Sequence, residues 1–166
     1  MSAAVTKERG NLIGALKTLS EAEGAISYDF NFRPKLWDAK EATSFAEEII
    51  PYLTYIKISD EELETLYPDQ SFIDICAKNK SAEWILTCGA EKAECWKGGR
   101  CQESLSFTTP VNVVDTSAAG DSFLGAYLAA RLQEKSMRSA LCAGHEFASQ
   151  VVGGKGSIVD VKVSWL

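Results

Sequence analysis

Asp121 is the one carboxylate in a turn of small residues, Ser117-Ala118-Ala119-Gly120, that opens an apolar helical run from Phe123 to Leu132. Small residues let the backbone turn tightly, so that several N–H groups at a helix start point at one spot and hold a phosphate, aided by the helix dipole. A carboxylate beside a phosphate is repulsive unless it takes a proton from an attacking hydroxyl, and this position suits a general base. The local pattern leaves a second reading open. Asp is among the commonest residues of a first helical turn, and Asp121 there is a helix-capping residue and nothing more.

The elements that must hold this turn are readable from periodicity. Residues 7–22 have helical spacing, with Leu12, Ile13, Leu16 and Leu19 on one side and Gly24 as the stop. A strand over 25–30 follows, and its C-terminal end carries the polar, aromatic segment Asp29 to Trp37. Open α/β sheets place their ligands at such strand ends; a surface loop with a salt bridge is the alternative. Further expected elements are a helix over 41–50, a strand over 52–58 and a helix over 69–80. Ser59 and Glu62 between them fit a capping box. A buried strand then spans Glu83 to Ala90, and a hairpin runs from Glu94 to Cys101 with Gly98-Gly99 at its turn. The run Phe107 to Val114 leans towards strand, a last helix starts at a Ser136 cap, and Ile158 to Val163 has the composition of a final strand. Strands alternating with helices predict a mainly parallel sheet covered on both faces, with one antiparallel hairpin inserted.

Length and composition suit one soluble domain over residues 1–166, with 46% hydrophobic residues and a net charge of −6. The 17 basic residues are scattered, so neither nucleic acid nor a membrane surface is an expected partner. The five cysteines are dispersed without a CxxC pair and only one histidine joins them, which predicts neither a zinc site nor a disulfide framework. With no span-length apolar run and no signal-peptide core, the expected location is the cytoplasm.

The stretch Asp115-Thr116-Ser117-Ala118-Ala119-Gly120-Asp121-Ser122-Phe123 resembles the C-terminal signature D-T-x-[GA]-A-G-D-x-F of the PfkB (ribokinase-like) family of carbohydrate kinases. Asp29-Phe30-Asn31-Phe32-Arg33-Pro34-Lys35-Leu36-Trp37 resembles the D-x-N-x-R-x-x-L-W run of its 2-keto-3-deoxygluconate kinases and some fructokinases. Ser59 and Glu62 stand where those kinases carry S-x-x-E, and Thr87-Cys88-Gly89 resembles the start of the family's T-x-G-x-x-G motif, whose second glycine this chain lacks. The Gly153–Ser157 segment resembles the closing loop of the family.

This resemblance implies a Rossmann-like, three-layer α/β/α ribokinase-type fold, and it covers residues from about 10 to 163. The strands and small β lid of the family's N-terminal half, which supply most sugar contacts, have no counterpart in that stretch. Implied roles are Asp121 as base, Ala118, Ala119 and Gly120 as anion hole, and Asn31 near the nucleotide phosphates. Arg33 lies between phosphate and sugar acid, Gly89 sets backbone against the nucleotide, and Glu62 helps organise magnesium through water. Gly144 leaves room for adenine or serves helix packing, and Gly156 belongs to the loop flanking adenine or a monovalent cation. The implied ligands are ATP, Mg2+, a sugar or sugar acid, and a monovalent cation near Asp115 and Ser117. A homodimer is expected, because a doubly wound sheet without its first strands has an edge to cover. The alternative from another class is a non-catalytic module that dimerises and binds nucleotide weakly or not at all.

Overall fold

The computed structural model describes residues 8–108, 112–116, 118–156 and 158–161. Its order is α1 (Arg9–Glu21), β1 (Ser27–Asp29), α2 (Ala39–Ile49), β2 (Tyr55–Ser59), α3 (Asp60–Leu66), α4 (Phe72–Cys76), β3 (Glu83–Cys88), β4 (Lys92–Lys97), β5 (Arg100–Ser106), α5 (Ala119–Leu132) and α6 (Met137–Val152). The strands form one five-stranded sheet in the order β1-β2-β3-β4-β5. β1 runs parallel to β2 with Asp29 opposite Lys57, and β2 runs parallel to β3 with Ile56 opposite Trp84. The links from β3 to β4 and from β4 to β5 are too short for a crossover, so these strands form hairpins. Gly98 and Gly99 both sit at positive φ, 64° and 73°, as the mirror-image turn of a tight hairpin requires.

Local chemistry accounts for most of these elements. Asp38 caps α2 by accepting the Glu41 N–H at 2.7 Å, and Ala42, Phe45, Ala46 and Ile49 form the buried face that the spacing predicts. Ser59 and Glu62 make both bonds of the capping box at the start of α3. Ser136 caps α6, which buries Ala140, Leu141, Ala143, Gly144 and Val151.

The structure departs from the sequence reading at several element boundaries and at two expected strands. After α2 the chain makes a 3-10 turn over Ile50–Tyr52, so β2 starts at Tyr55 and not at Tyr52. The helix expected over 69–80 is shorter, being α4 followed by a 3-10 turn over Ala77–Asn79. Asn79 is the cause. Its buried amide donates to the Ile50 and Leu53 carbonyls at 2.8 and 3.0 Å, while its Oδ1 accepts the Ser81 and Ala82 N–H groups and the Ser81 hydroxyl. The β-leaning run from Phe107 carries no strand among its described residues, because the Val114 and Asp115 N–H groups donate to the Val152 carbonyl at the end of α6 and not to a neighbouring strand. Residues 158–161 likewise form no strand, and 162–163 lie outside the described residues.

Two compact units divide the chain, one running through Thr87 with Trp96–Cys101, the other comprising Cys88–Cys95 and the residues from Gln102 onward. The core of the first contains Phe30, Trp37, Phe45, Ile56, Ile75 and Trp84. In the second, α5 packs along α6, burying Phe123, Tyr127 and Ala130 on one helix and Ala140 and Leu141 on the other. Among the described residues no helix is long and apolar enough to cross a membrane.

Candidate active site

In the first unit the candidate residues gather where β1 and β2 end. Asp29 and Lys57, opposite each other in the ladder, form a buried ion pair in which Lys57 Nζ lies 3.1 Å from both carboxylate oxygens. The Phe30 N–H donates to the Lys57 carbonyl at 3.0 Å, and Asn31 then takes a left-handed conformation with φ of 40°. Asn tolerates that region better than most residues, since its short amide bonds locally. The Phe32 N–H donates to Glu62 Oε1 at 2.7 Å, and the other oxygen of Glu62 accepts the Ser59 N–H at 2.9 Å. Glu62 therefore ties the segment after β1 to the segment after β2, and Asn31 sits directly before the tied amide. Arg33 is exposed and opens a turn closed by the Leu36 N–H, which donates to its carbonyl at 2.9 Å. Burial, followed by the nearby Asp29 and Glu62 carboxylates, pushes the Tyr28 hydroxyl well above its ordinary pKa. Neither Lys57 nor the pairing role of Asp29 is among the residues the sequence motifs single out. The only sequence signal for it is a lysine between two isoleucines in a buried strand.

In the second unit a tight turn of small residues precedes α5. Ala118 is left-handed, with φ of 63°, a conformation that costs a non-glycine residue about 1–2 kcal/mol. The helical ladder begins with the Ser122 N–H donating to the Ala118 carbonyl at 2.8 Å, so the amides before it stand outside the ladder. The Ala119 N–H is directed to the Thr116 carbonyl at 3.2 Å, and Gly120 follows in the first turn of the helix. Asp121 is exposed in the first turn of α5, which begins at Ala119 and not at Phe123.

Asp115, just before this turn, accepts the Gly156 N–H on Oδ2 at 3.1 Å, joining the signature segment to the loop after α6. Gly156 has φ of 84°, a region that side chains rarely adopt. Ser117 lies outside the described residues. Gly89 is exposed at φ of 53° with open space where a Cβ would stand, as a turn glycine or a close backbone approach both require. Gly144 has a packing explanation, because a Cβ there would meet the Phe123 ring and carbonyl at 3.0 Å. The one histidine, His145, stacks flat on Phe107 with centroids 3.7 Å apart, and burial lowers its pKa. Among the described residues no three His, Cys, Asp or Glu side chains form a cage for a metal ion.

Parallel strands with polar residues at their ends in the first unit, and a tight small-residue turn with an exposed carboxylate at a helix start in the second, belong to an α/β protein. The model of the pfkB family of carbohydrate kinases matches residues 7–163, and the chain belongs to that family. It is 30% identical over 158 residues to the 2-dehydro-3-deoxygluconokinase of Haemophilus influenzae, covering 92% of this chain and 50% of that enzyme. The chain thus spans about half the length of the curated relatives it matches. Among solved structures, a fructokinase double mutant from Vibrio cholerae, bound to fructose, ADP and potassium ion, superposes with a TM-score of 0.79 at 24% identity, over 93% of this chain and 52% of that one. The 2-dehydro-3-deoxygluconokinase of Thermotoga maritima gives 0.77 at 18% identity, over 95% and 54%. The fold is the ribokinase-like α/β fold with a mostly parallel sheet.

Proposed function

We propose that this chain is the nucleotide-binding and catalytic portion of a cytoplasmic ATP-dependent kinase acting on a sugar or sugar acid of the 2-keto-3-deoxygluconate or fructose type. The observation that carries this reading is Asp121, exposed in the first turn of α5 directly after the left-handed turn at Ala118. The substrate hydroxyl gives its proton to Asp121 while its oxygen bonds to the γ-phosphorus, and the bond from that phosphorus to the ADP oxygen breaks. The N-terminal end of α5 at Ala118, Ala119 and Gly120 stabilises the charge on the transferring group. Asn31 faces the nucleotide phosphates, Arg33 a phosphate or sugar-acid carboxylate, and Gly89 and Gly156 bring backbone against the nucleotide.

Magnesium, when bound, would neutralise charge on the nucleotide phosphates. Glu62 would act on it through water while each of its oxygens accepts a backbone N–H. A monovalent cation near Asp115 is supported by the potassium of the Vibrio cholerae fructokinase. The three-residue edge strand β1 supports self-association into a dimer, which light scattering tests.

A second reading, a non-catalytic module that dimerises and binds nucleotide weakly or not at all, is also compatible with a match to about half the length of the relatives. ADP release from Mg-ATP, measured with and without a panel of sugar acids and hexoses, separates the two. Sugar-dependent release supports the kinase; its absence alongside nucleotide binding supports the module.

A further inference from the structure

Lys57 is 5% exposed, flanked in β2 by Ile56 and Ile58, and its ammonium faces Asp29 across the last register pair of β1 and β2. A buried ion pair is a poor device for stability, because the desolvation of both groups offsets their attraction, and well-packed apolar residues of similar volume often do as well or better. What a pair of this kind fixes is position. β1 is a sheet edge of three residues, so its ladder to β2 holds the strand end with few bonds. Within four residues of the chain, Asp29 is held by Lys57 Nζ, the Phe30 N–H by the Lys57 carbonyl, and the Phe32 N–H by Glu62. Asn31, at φ of 40°, lies between the last two of these anchors.

We propose that Lys57 is a positioning residue: through its ion pair with Asp29 it fixes the end of β1 so that the Asn31–Arg33 segment keeps the shape that meets the nucleotide phosphates. The phosphate role of that segment rests on the function proposed above; the positioning itself does not.

The test compares the unmodified chain with Lys57→Met, Lys57→Arg and the double variant Asp29→Asn/Lys57→Met, which leaves no unpaired buried charge. Amide hydrogen exchange at Phe32 reports the segment, and calorimetric titration with Mg-ATP reports its use. Lys57→Met and the double variant are expected to exchange the Phe32 amide about tenfold faster and to bind Mg-ATP about tenfold more weakly, while the β3 amides keep their rates. Lys57→Arg is expected to restore both. If Lys57→Met fails to fold, the double variant carries the comparison. A double variant with unmodified exchange at Phe32 overturns the proposal, and so does a loss of protection spread equally over β3, which marks a merely structural pair. An unmodified chain that binds no Mg-ATP overturns the nucleotide reading, and the exchange at Phe32 still decides the role of Lys57.

Discussion

Glu62 accepts the Phe32 N–H on one carboxylate oxygen at 2.7 Å and the Ser59 N–H on the other at 2.9 Å, so a single side chain caps α3 and holds the segment that follows β1. The sequence already pairs Ser59 and Glu62 as a capping box, and the geometry adds the Phe32 N–H to the duties of the same carboxylate. Glu62→Gln keeps the shape but turns one oxygen into a donor, which faces one of the two N–H groups without accepting from it. This variant is expected to lose about 1 kcal/mol of stability in denaturant titration, the usual scale for a capping bond. Unchanged stability would leave the metal as the only role for this carboxylate.

Asn79 is a buried hub whose replacement should be severe. Its amide satisfies the Ile50 and Leu53 carbonyls, its Oδ1 satisfies the Ala82 N–H, and its own carbonyl accepts the Trp84 indole N–H at 3.0 Å. Asn79→Ala removes these side-chain bonds at once, leaving the Ile50 carbonyl with the Leu53 N–H, and is expected to destabilise by roughly 2–4 kcal/mol. Thermal unfolding checks this, and a shift no larger than that of an exposed substitution such as Lys80→Ala would contradict it.

Two glycines on facing helices should respond oppositely. A Cβ at Gly144 would press on the Phe123 ring and carbonyl at 3.0 Å, so Gly144→Ala is expected to cost about 1–3 kcal/mol through overpacking. Gly125, within α5, has open space around the Cβ position, and Gly125→Ala is expected to stabilise by about 0.5–1 kcal/mol through helix propensity. Equal effects of the two, read by thermal melts, would mean that α5 does not press on Gly144.

Asp121→Asn keeps the shape of the first turn of α5 but cannot take a proton. It should bind nucleotide as well as the unmodified chain or better, since a charge beside the phosphates is removed, while any sugar-dependent ADP release falls by about a hundred- to ten-thousand-fold. Equal turnover in both proteins would return Asp121 to the role of a helix-cap residue.

The parts of the fold written in short-range patterns were legible in the sequence. The buried face of α2, the capping box at Ser59 and Glu62, and the apolar stripe of α6 each depend on residues three or four apart. A small-residue turn ahead of α5 was legible too, although the helix starts at Ala119 and not at Phe123. What the pattern could not give is set by distant partners. Asn79 shortens a helix by bonding chain some thirty residues away, and Val114 and Asp115 leave a strand-like run because the Val152 carbonyl takes their N–H groups. Lys57 gains its meaning only when the parallel register sets it opposite Asp29. Gly144 reads equally as an adenine contact or a packing site, and Phe123 as its packing partner comes only from the structure.

The central claim is that this chain carries a nucleotide-phosphate site, and titrating Mg-ATP into the unmodified protein by calorimetry tests it most directly. A saturable heat at millimolar nucleotide is predicted, with a rise in melting temperature that grows with nucleotide concentration, as binding to the native state alone requires. No heat, together with a melting temperature indifferent to Mg-ATP, would contradict the account.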